Sequence, residues 1–393
     1  MDPRKNPYAP GAGTPPPELA GRDDIIERAD IALDRISAKR AARSLIFYGL
    51  RGVGKTVLLQ RIRQDAENQH YVSVVIEAPE DRSLPAVLGP ALRATLIRMS
   101  LGAATKHYLQ KALGALASFG RAAKVKYGDV EFSVDVDSIQ GVADSGDLES
   151  DLSDLLSSVG QAAAEANTVV VLFIDELQYV HEEQLAALIT ALHRANQSQL
   201  PITLVAAGLP QLLGQLGKAK SYAERLFEFI RIGPLSPEFA RQALRVPAAN
   251  EGVEYESDAV DEILLRTEGY PYFLQEWGKH SWGEATQSPI TKDDAERATV
   301  VALAELDASF FRVRFERLTP SEKQYMRAMA ELGAGPHRSS DVAELLGKKI
   351  NIVAPVRSRL IAKGMAFSPS HGDIAFTVPL FDGFMKRTMP NLL

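Results

Sequence analysis

The stretch Tyr48 to Leu59, YGLRGVGKTVLL, carries the spacing G-x-x-x-x-G-K-[ST] on Gly49, Gly54, Lys55 and Thr56. Glycines at such spacing let successive backbone N–H groups face inward at a helix N-terminus, which makes a cradle for the phosphates of a nucleotide. Gly49, Leu50, Arg51, Gly52, Val53, Gly54, Lys55, Thr56 and Val57 are therefore the expected phosphate grip. Lys55 would reach the β and γ phosphates, and the Thr56 hydroxyl would hold Mg²⁺. A second cluster stands at the end of VVVLFIDEL. Asp175 closes a fully apolar run, where a second Mg²⁺ ligand belongs, and Glu176 is placed to orient and deprotonate an attacking water. An Asp-Glu pair after a buried strand also suits the cap of a following helix, but the loop upstream favours chemistry. Hydrolysis further calls for positive charge on the γ-phosphoryl group, often from a neighbouring subunit. In SYAERLFEFIRIGPL, Arg225 at the end of a short helix is better placed than Arg231 to project across an interface, with a surface salt bridge as the alternative.

These residues need a scaffold, and the sequence supplies one. SLIFYGL reads as a buried strand entering the glycine loop, and TVLLQRIRQDAEN as the helix behind it. YVSVVIEA, TVVVLFIDELQ, PITLVAAG and FEFIRIGPL are further strands, apolar on both faces and separated by helical patterns. The expected class is α/β, a doubly wound parallel sheet. Between the second and third strands, an insertion at about 79–150 holds two helical patterns and AKVKYGDVEFSVDVD, whose alternation suggests a hairpin turning at Tyr127-Gly128-Asp129. Asp129, Glu131, Asp135 and Asp137 would share its solvated face. After Pro237 the pattern is helical only, including one long run from Lys292 through SFFRVRF, read as helix-packing core.

From Leu318, three helical segments precede AFSPSHGDIAFTVP, a hairpin. Helix, helix, helix, hairpin is a winged-helix arrangement, whose third helix can enter a DNA major groove. Pro355 would then sit in the first turn of that helix. Residues 318–393 hold ten basic against six acidic side chains. Lys348, Lys349, Arg357, Arg359 and Lys363 gather on or before the third helix, a cluster able to neutralise the phosphates of double-stranded DNA, although winged helices also dock proteins. The expected organisation is a flexible Pro-rich arm at 1–17, a core at 18–236, a helical lid at 237–317 and a winged helix at 318–393.

Composition narrows the field. The 393 residues carry 44 basic and 50 acidic side chains, a net charge of −6, so whole-chain charge gives no sign of a nucleic-acid partner. The absence of cysteine excludes disulfides and thiolate metal sites. No run of about 18 apolar residues offers a membrane span, and the N-terminus lacks a signal-peptide core, so a cytoplasmic protein is expected. His70, His107, His181, His193, His280 and His337 show no ligand spacing.

Together, PPPELAGRDDIIERA, GLRGVGKT, LFIDELQ and GYPYFLQ resemble the AAA+ ATPases of the initiator type, those related to the origin recognition and archaeal ATPase groups, over Leu19 to Leu393. The resemblance implies ATP with Mg²⁺, a strand order 5-1-4-3-2 and an adenine pocket, with Gly21 and Arg22 at the base region and Tyr270-Pro271 closing over it. Two departures stand out. The sensor position after the fourth strand offers only small residues around Ala207 and Gly208, and GYPYFLQEW lacks the arginine that many lids contribute; its Gly-x-Pro form looks more like the switch-type signal-transduction NTPases. The expectation is a slow, partner-stimulated ATPase, a nucleotide-dependent switch on DNA or a DNA-bound partner, acting as a homo-oligomer or with a protein partner. The alternative is a switch whose winged helix binds protein.

Overall fold

The computed structural model describes every residue except 12, 79, 103–106, 131–136 and 393. The chain enters its core through α1 (Asp23–Ser37), then β1 (Ser44–Tyr48) and α2 (Lys55–Asn68) on either side of the glycine loop. β2 (Val72–Glu77), α3 (Leu84–Gly102), α4 (His107–Tyr127), α5 (Leu148–Glu165), β3 (Val170–Asp175), α6 (Glu182–Gln197), β4 (Ile202–Gly208), α7 (Leu212–Ala219), α8 (Ala223–Leu226) and β5 (Phe227–Arg231) follow. The five strands are parallel and ordered β2-β3-β4-β1-β5, which is the expected 5-1-4-3-2. Ile46, Leu172, Ile174 and Ala206 pack toward one helical layer and Leu45, Phe47, Val171 and Val205 toward the other, so the strands are apolar on both faces for a physical reason. Tyr48 pairs with Gly208 and Arg231, and Glu77 pairs with Asp175. That register brings the C-terminal strand ends, with the glycine loop and Asp175, to one edge.

The described part of the insertion holds α3 and α4, with turns and irregular backbone at 137–147 leading into α5. AKVKY is not a strand but the last turns of α4, and residues 131–136, the remainder of the expected hairpin, lie outside the described residues. Alternation over five residues did not outweigh the apolar face of α4, on which Ala112, Ala115, Leu116, Phe119 and Ala123 are buried. Asp129, expected on a solvated face, is only partly exposed: its carboxylate accepts from the Ser83 N–H at 2.7 Å and the Ser83 hydroxyl at 2.8 Å, holding the entry to α3.

The second half continues with α9 (Pro237–Asn250), α10 (Ser257–Thr267), α11 (Pro271–Glu284), α12 (Lys292–Ala308) and α13 (Phe310–Glu316). α12 opens on a capping box between Thr291 and Asp294. The run expected as one helix breaks at Ser309 (φ −122°, ψ −79°), whose hydroxyl donates to the Glu305 carbonyl at 2.7 Å. Then come α14 (Pro320–Leu332), capped by a Thr319–Glu322 box, β6 (His337–Arg338), α15 (Ser339–Leu345), α16 (Ile350–Ala362), β7 (Ala366–Phe367), β8 (Asp373–Phe376) and α17 (Phe381–Thr388). β6 and β7 flank β8 in an antiparallel three-stranded sheet. α16 starts at Ile350, so Pro355 lies beyond the first turn rather than within it.

One apolar cluster runs through α9–α17 without a gap at 317/318, with Phe311, Phe315, Phe381 and Phe384 at that junction. The N-terminal arm, expected to be flexible, packs on this half instead. Residues 3–5 form a short 3-10 turn, the terminal ammonium donates to the Ala285 carbonyl at 2.5 Å, and the buried Tyr8 ring lies over Gly278 with its hydroxyl donating to Leu244 O. The Tyr8 anchor, with hydrogen bonds at Met1, Asp2 and Asn6, works against the entropy of ordering this proline-rich arm. No helix among the described residues is long and apolar enough to cross a membrane.

Candidate functional site

The glycine loop is fitted to its surroundings atom by atom. A Cβ on Gly49 would lie 2.0 Å from the Ile232 carbonyl oxygen, so only glycine lets β1 turn there against the exit of β5. Gly54 adopts φ +88° and leads into α2. Lys55 is buried, and its ammonium donates to the carbonyls of Gly49 (2.9 Å) and Leu50 (2.8 Å). Burial lowers its pKa to about 8, opposed by the Glu176 and Asp175 carboxylates and reinforced by Arg51. Val53, which the loop motif leaves unspecified, is buried in the core beneath the loop.

The two sequence clusters meet. The Thr56 hydroxyl donates to Asp175 Oδ2 at 2.5 Å, across 119 residues. Asp175 Oδ1 accepts from the Glu176 N–H at 2.8 Å. Burial raises the Asp175 pKa, the Glu176 charge adds to this, and the Thr56 hydroxyl opposes it. A hydroxyl and a carboxylate side by side are hard oxygen donors, the set that Mg²⁺ takes.

Glu176 occupies the left-handed region (φ 52°, ψ 34°), uncommon for a non-glycine residue and one that cocks its side chain off the strand axis. Arg51 from the loop sits 3.2 Å from its Oε1 and donates to the Tyr179 hydroxyl at 2.8 Å. The Gln178 amide donates to its Oε2, while Gln178 Oε1 accepts from the Leu209 N–H at 2.9 Å. Gln178 is thus a polar bridge from the end of β4 to Glu176. A Cβ on Gly208 would lie 2.7 Å from Gln178 Oε1, which explains why the sensor position around Ala207 and Gly208 is small.

The other expected residues divide. Arg22 donates to the carbonyls of Gly233 (2.6 Å) and Val53 (3.3 Å), tying the loop to the exit of β5, and Gly21 (φ +66°) lies against Phe239. Tyr270 is half-buried and Pro271 opens α11, whose Tyr272 N–H donates to Gly52 O at 3.1 Å. Val57 lies in the first turn of α2. Arg225 is not brought to the site: it precedes β5 at the opposite edge of the sheet, roughly 13 Å of strand away, in a cleft with Arg28, Arg43 and Glu228.

Sequence reading missed Gln178, Tyr179, Arg314 and Thr377. A cleft of about 450 Å³ opens beside Glu176, lined by Arg51, Glu80, Tyr179, Arg314, Arg317 and Lys363 among others. Arg314, turned toward it by the break at Ser309, stacks 3.9 Å over the Phe310 ring. Burial lowers its pKa to about 10, and Arg51 lowers it further. The Thr377 carbonyl accepts from the Arg51 N–H at 2.9 Å, so the last part of the chain touches the glycine loop. Neither Arg314, set among the phenylalanines of SFFRVRF, nor Thr377 was marked as a site residue by the sequence.

The basic cluster of α16 does not form one free face. Arg359 lies 3.3 Å and Lys363 2.7 Å from the fully buried Glu322, and Arg357 donates to Ser368 Oγ at 2.7 Å and Asp373 O at 2.8 Å. Lys348 and Lys349 are exposed, as are Ile350 and Ile352.

Residues 18–205 match the AAA ATPase domain family, and residues 308–385 match a domain of unknown function, DUF8462. No curated protein matches the chain. Among solved structures, the Walker-type ATPase PABY2304 of Pyrococcus abyssi aligns over 95% of this chain and 97% of its own, at 14% identity and a TM-score of 0.61. The Aeropyrum pernix Orc1 protein, solved in complex with DNA, aligns over 95% and 94% at 14% identity and a TM-score of 0.50. The sheet and its helices have the P-loop NTPase fold.

Proposed function

We propose that the chain binds ATP with Mg²⁺ and hydrolyses it slowly, and that the state of the nucleotide sets how firmly residues 318–393 are held against the core. The observation that carries the ATPase reading is the 2.5 Å Thr56–Asp175 contact, which joins two distant motifs beside Lys55 and Glu176. In this reading Gly49 to Val57 grip the phosphates, Lys55 neutralises them, Thr56 and Asp175 hold Mg²⁺, and Gly21, Arg22, Tyr270 and Pro271 border the base. Mg²⁺, when bound, supplies charge to the phosphate oxygens. Glu176 takes the proton of the water that attacks the γ-phosphorus, and ADP leaves. Arg225, at the far edge of the sheet, would reach a site only on a neighbouring subunit. Lys55→Ala should abolish nucleotide binding, whereas Glu176→Gln should keep binding and lose turnover. If Glu176→Gln hydrolyses ATP like the parent, Glu176 is not the base.

We take 18–236 as the ATPase core, 237–317 as the lid and 318–393 as a winged helix, with α13 packed into the last of these. Its helix-strand-helix-helix-hairpin order supports that reading, and Lys348 and Lys349 are the side chains left to meet DNA. A second reading, a protein partner, is favoured by exposed Ile350 and Ile352 and by the engagement of Arg359 and Lys363 with Glu322. Binding to random duplex DNA over a salt series separates them: affinity that falls steeply with salt supports DNA, and none at low salt with ATP present supports protein.

A further inference from the structure

We propose that Glu276, His280 and Glu305 form a site for a borderline divalent cation such as Zn²⁺, separate from the nucleotide site. Glu276 and His280 stand one helical turn apart on α11, and Glu305 faces them from α12. One ligand atom from each lies within 4.8 Å of the other two. Glu276 is 6% exposed, and its Oε2 has no hydrogen-bond partner although it points at the His280 ring, 3.6 Å from Nε2. A buried carboxylate oxygen without a donor is costly, and a cation would satisfy it. The other oxygen is already oriented: the Tyr272 hydroxyl donates to Oε1 at 2.9 Å, the outer contact that fixes a ligating carboxylate. His280 Nε2 also lies 2.9 Å from Glu305 Oε2.

The donor set selects the ion. Two carboxylates and one imidazole, in a chain without cysteine, suit Zn²⁺, Co²⁺ or Mn²⁺ better than Mg²⁺ or Ca²⁺, which prefer oxygen alone. Two carboxylate charges against one dication balance. Lys279, 2.9 Å from Glu305 Oε1 and partly exposed, neutralises one of them and can swing into solvent when the cation enters. The histidines alone show no ligand spacing, but Glu276 and His280, four residues apart on one helix, are a sequence trace of the site that a reading of the histidines passes over. Tyr272 joins it to the glycine loop, because the same residue's N–H donates to Gly52 O.

The test is Zn²⁺ binding to the full chain without nucleotide, by competition against a chromophoric chelator, with the visible spectrum of the Co²⁺ form as a second readout. One equivalent is expected. Glu305→Gln, a partly exposed side chain whose loss should not unfold the protein, should weaken binding at least about tenfold. His280→Ala should abolish it together with the Co²⁺ spectrum, and Asp175→Asn should leave it unchanged. Failure to bind stoichiometric Zn²⁺, or equal affinity in Glu305→Gln, would overturn the proposal and leave His280 as a bridge between two carboxylates. Loss on Asp175→Asn alone would place the cation at the nucleotide site instead. Neither result bears on ATP hydrolysis, which the Glu176 variants read separately.

Discussion

At the scale of single residues, Lys55 is held at a cost to the fold. Its folded pKa of about 8 lies below its ordinary 10.5. Between those values the unfolded chain binds more protons than the folded one, so stability should rise with pH across that window; the penalty is complete below pH 8. Nucleotide affinity should move the other way, falling about tenfold from pH 7 to 9 as the ammonium deprotonates. Denaturant midpoints and equilibrium nucleotide titrations over that range check the two opposite slopes. Lys55→Met should stabilise the protein by about 1–3 kcal/mol while abolishing nucleotide binding, read by melting and titration together. Arg314 carries the complementary prediction. Its place in the cleft beside Glu176 would let it supply the positive charge that the lid motif lacks, so Arg314→Ala should lower kcat at least about tenfold with little change in ATP affinity. An unchanged kcat would return Arg314 to a packing role on Phe310. Lys55, Thr56, Asp175 and Glu176 were legible because phosphate and Mg²⁺ chemistry restricts residue type and spacing; Arg314 was not, because a guanidinium among phenylalanines also reads as one edge of a packed helix.

At the scale of elements, the sheet was legible throughout. Five apolar strands alternating with helices predict a parallel sheet, while the order of the strands came from the family resemblance and not from the pattern. The failures came where a local pattern met a longer one. The alternation in AKVKY yielded to the apolar face of α4, and the run through Ser309 broke where a serine hydroxyl competed for the helix backbone. Prolines suggested a flexible arm, and Tyr8 anchored it. The small residues after β4 read as a missing sensor, whereas the polar group there comes from Gln178 on the turn after β3. Gly208→Asn should therefore fail to restore a sensor. Its Cβ would collide with Gln178 and Leu212, costing about 1–3 kcal/mol and releasing Glu176 from its bridge. Chemical denaturation and steady-state ATPase rates measure both effects; a variant as stable and as active as the parent would contradict the bridge.

At the scale of the whole molecule, the nucleotide loop is touched from three sides. Arg22 holds it to the exit of β5, Tyr272 of α11 bonds Gly52, and Thr377 bonds Arg51. The guanidinium of that same Arg51 reaches Glu176, and Lys363, just after α16, lines the cleft beside them. In the proposed switch, a γ-phosphate in the loop would compete for Arg51 with both Glu176 and the last part of the chain. That competition is the differential contact a switch requires, and it needs no movement within the sheet. The most direct measurement is hydrogen–deuterium exchange of the full-length Glu176→Gln protein with Mg²⁺ and either ADP or ATP. Faster exchange of backbone amides in Lys363–Thr377 with ATP than with ADP is predicted; identical exchange throughout residues 318–393 in the two states, with both nucleotides bound, would contradict the account.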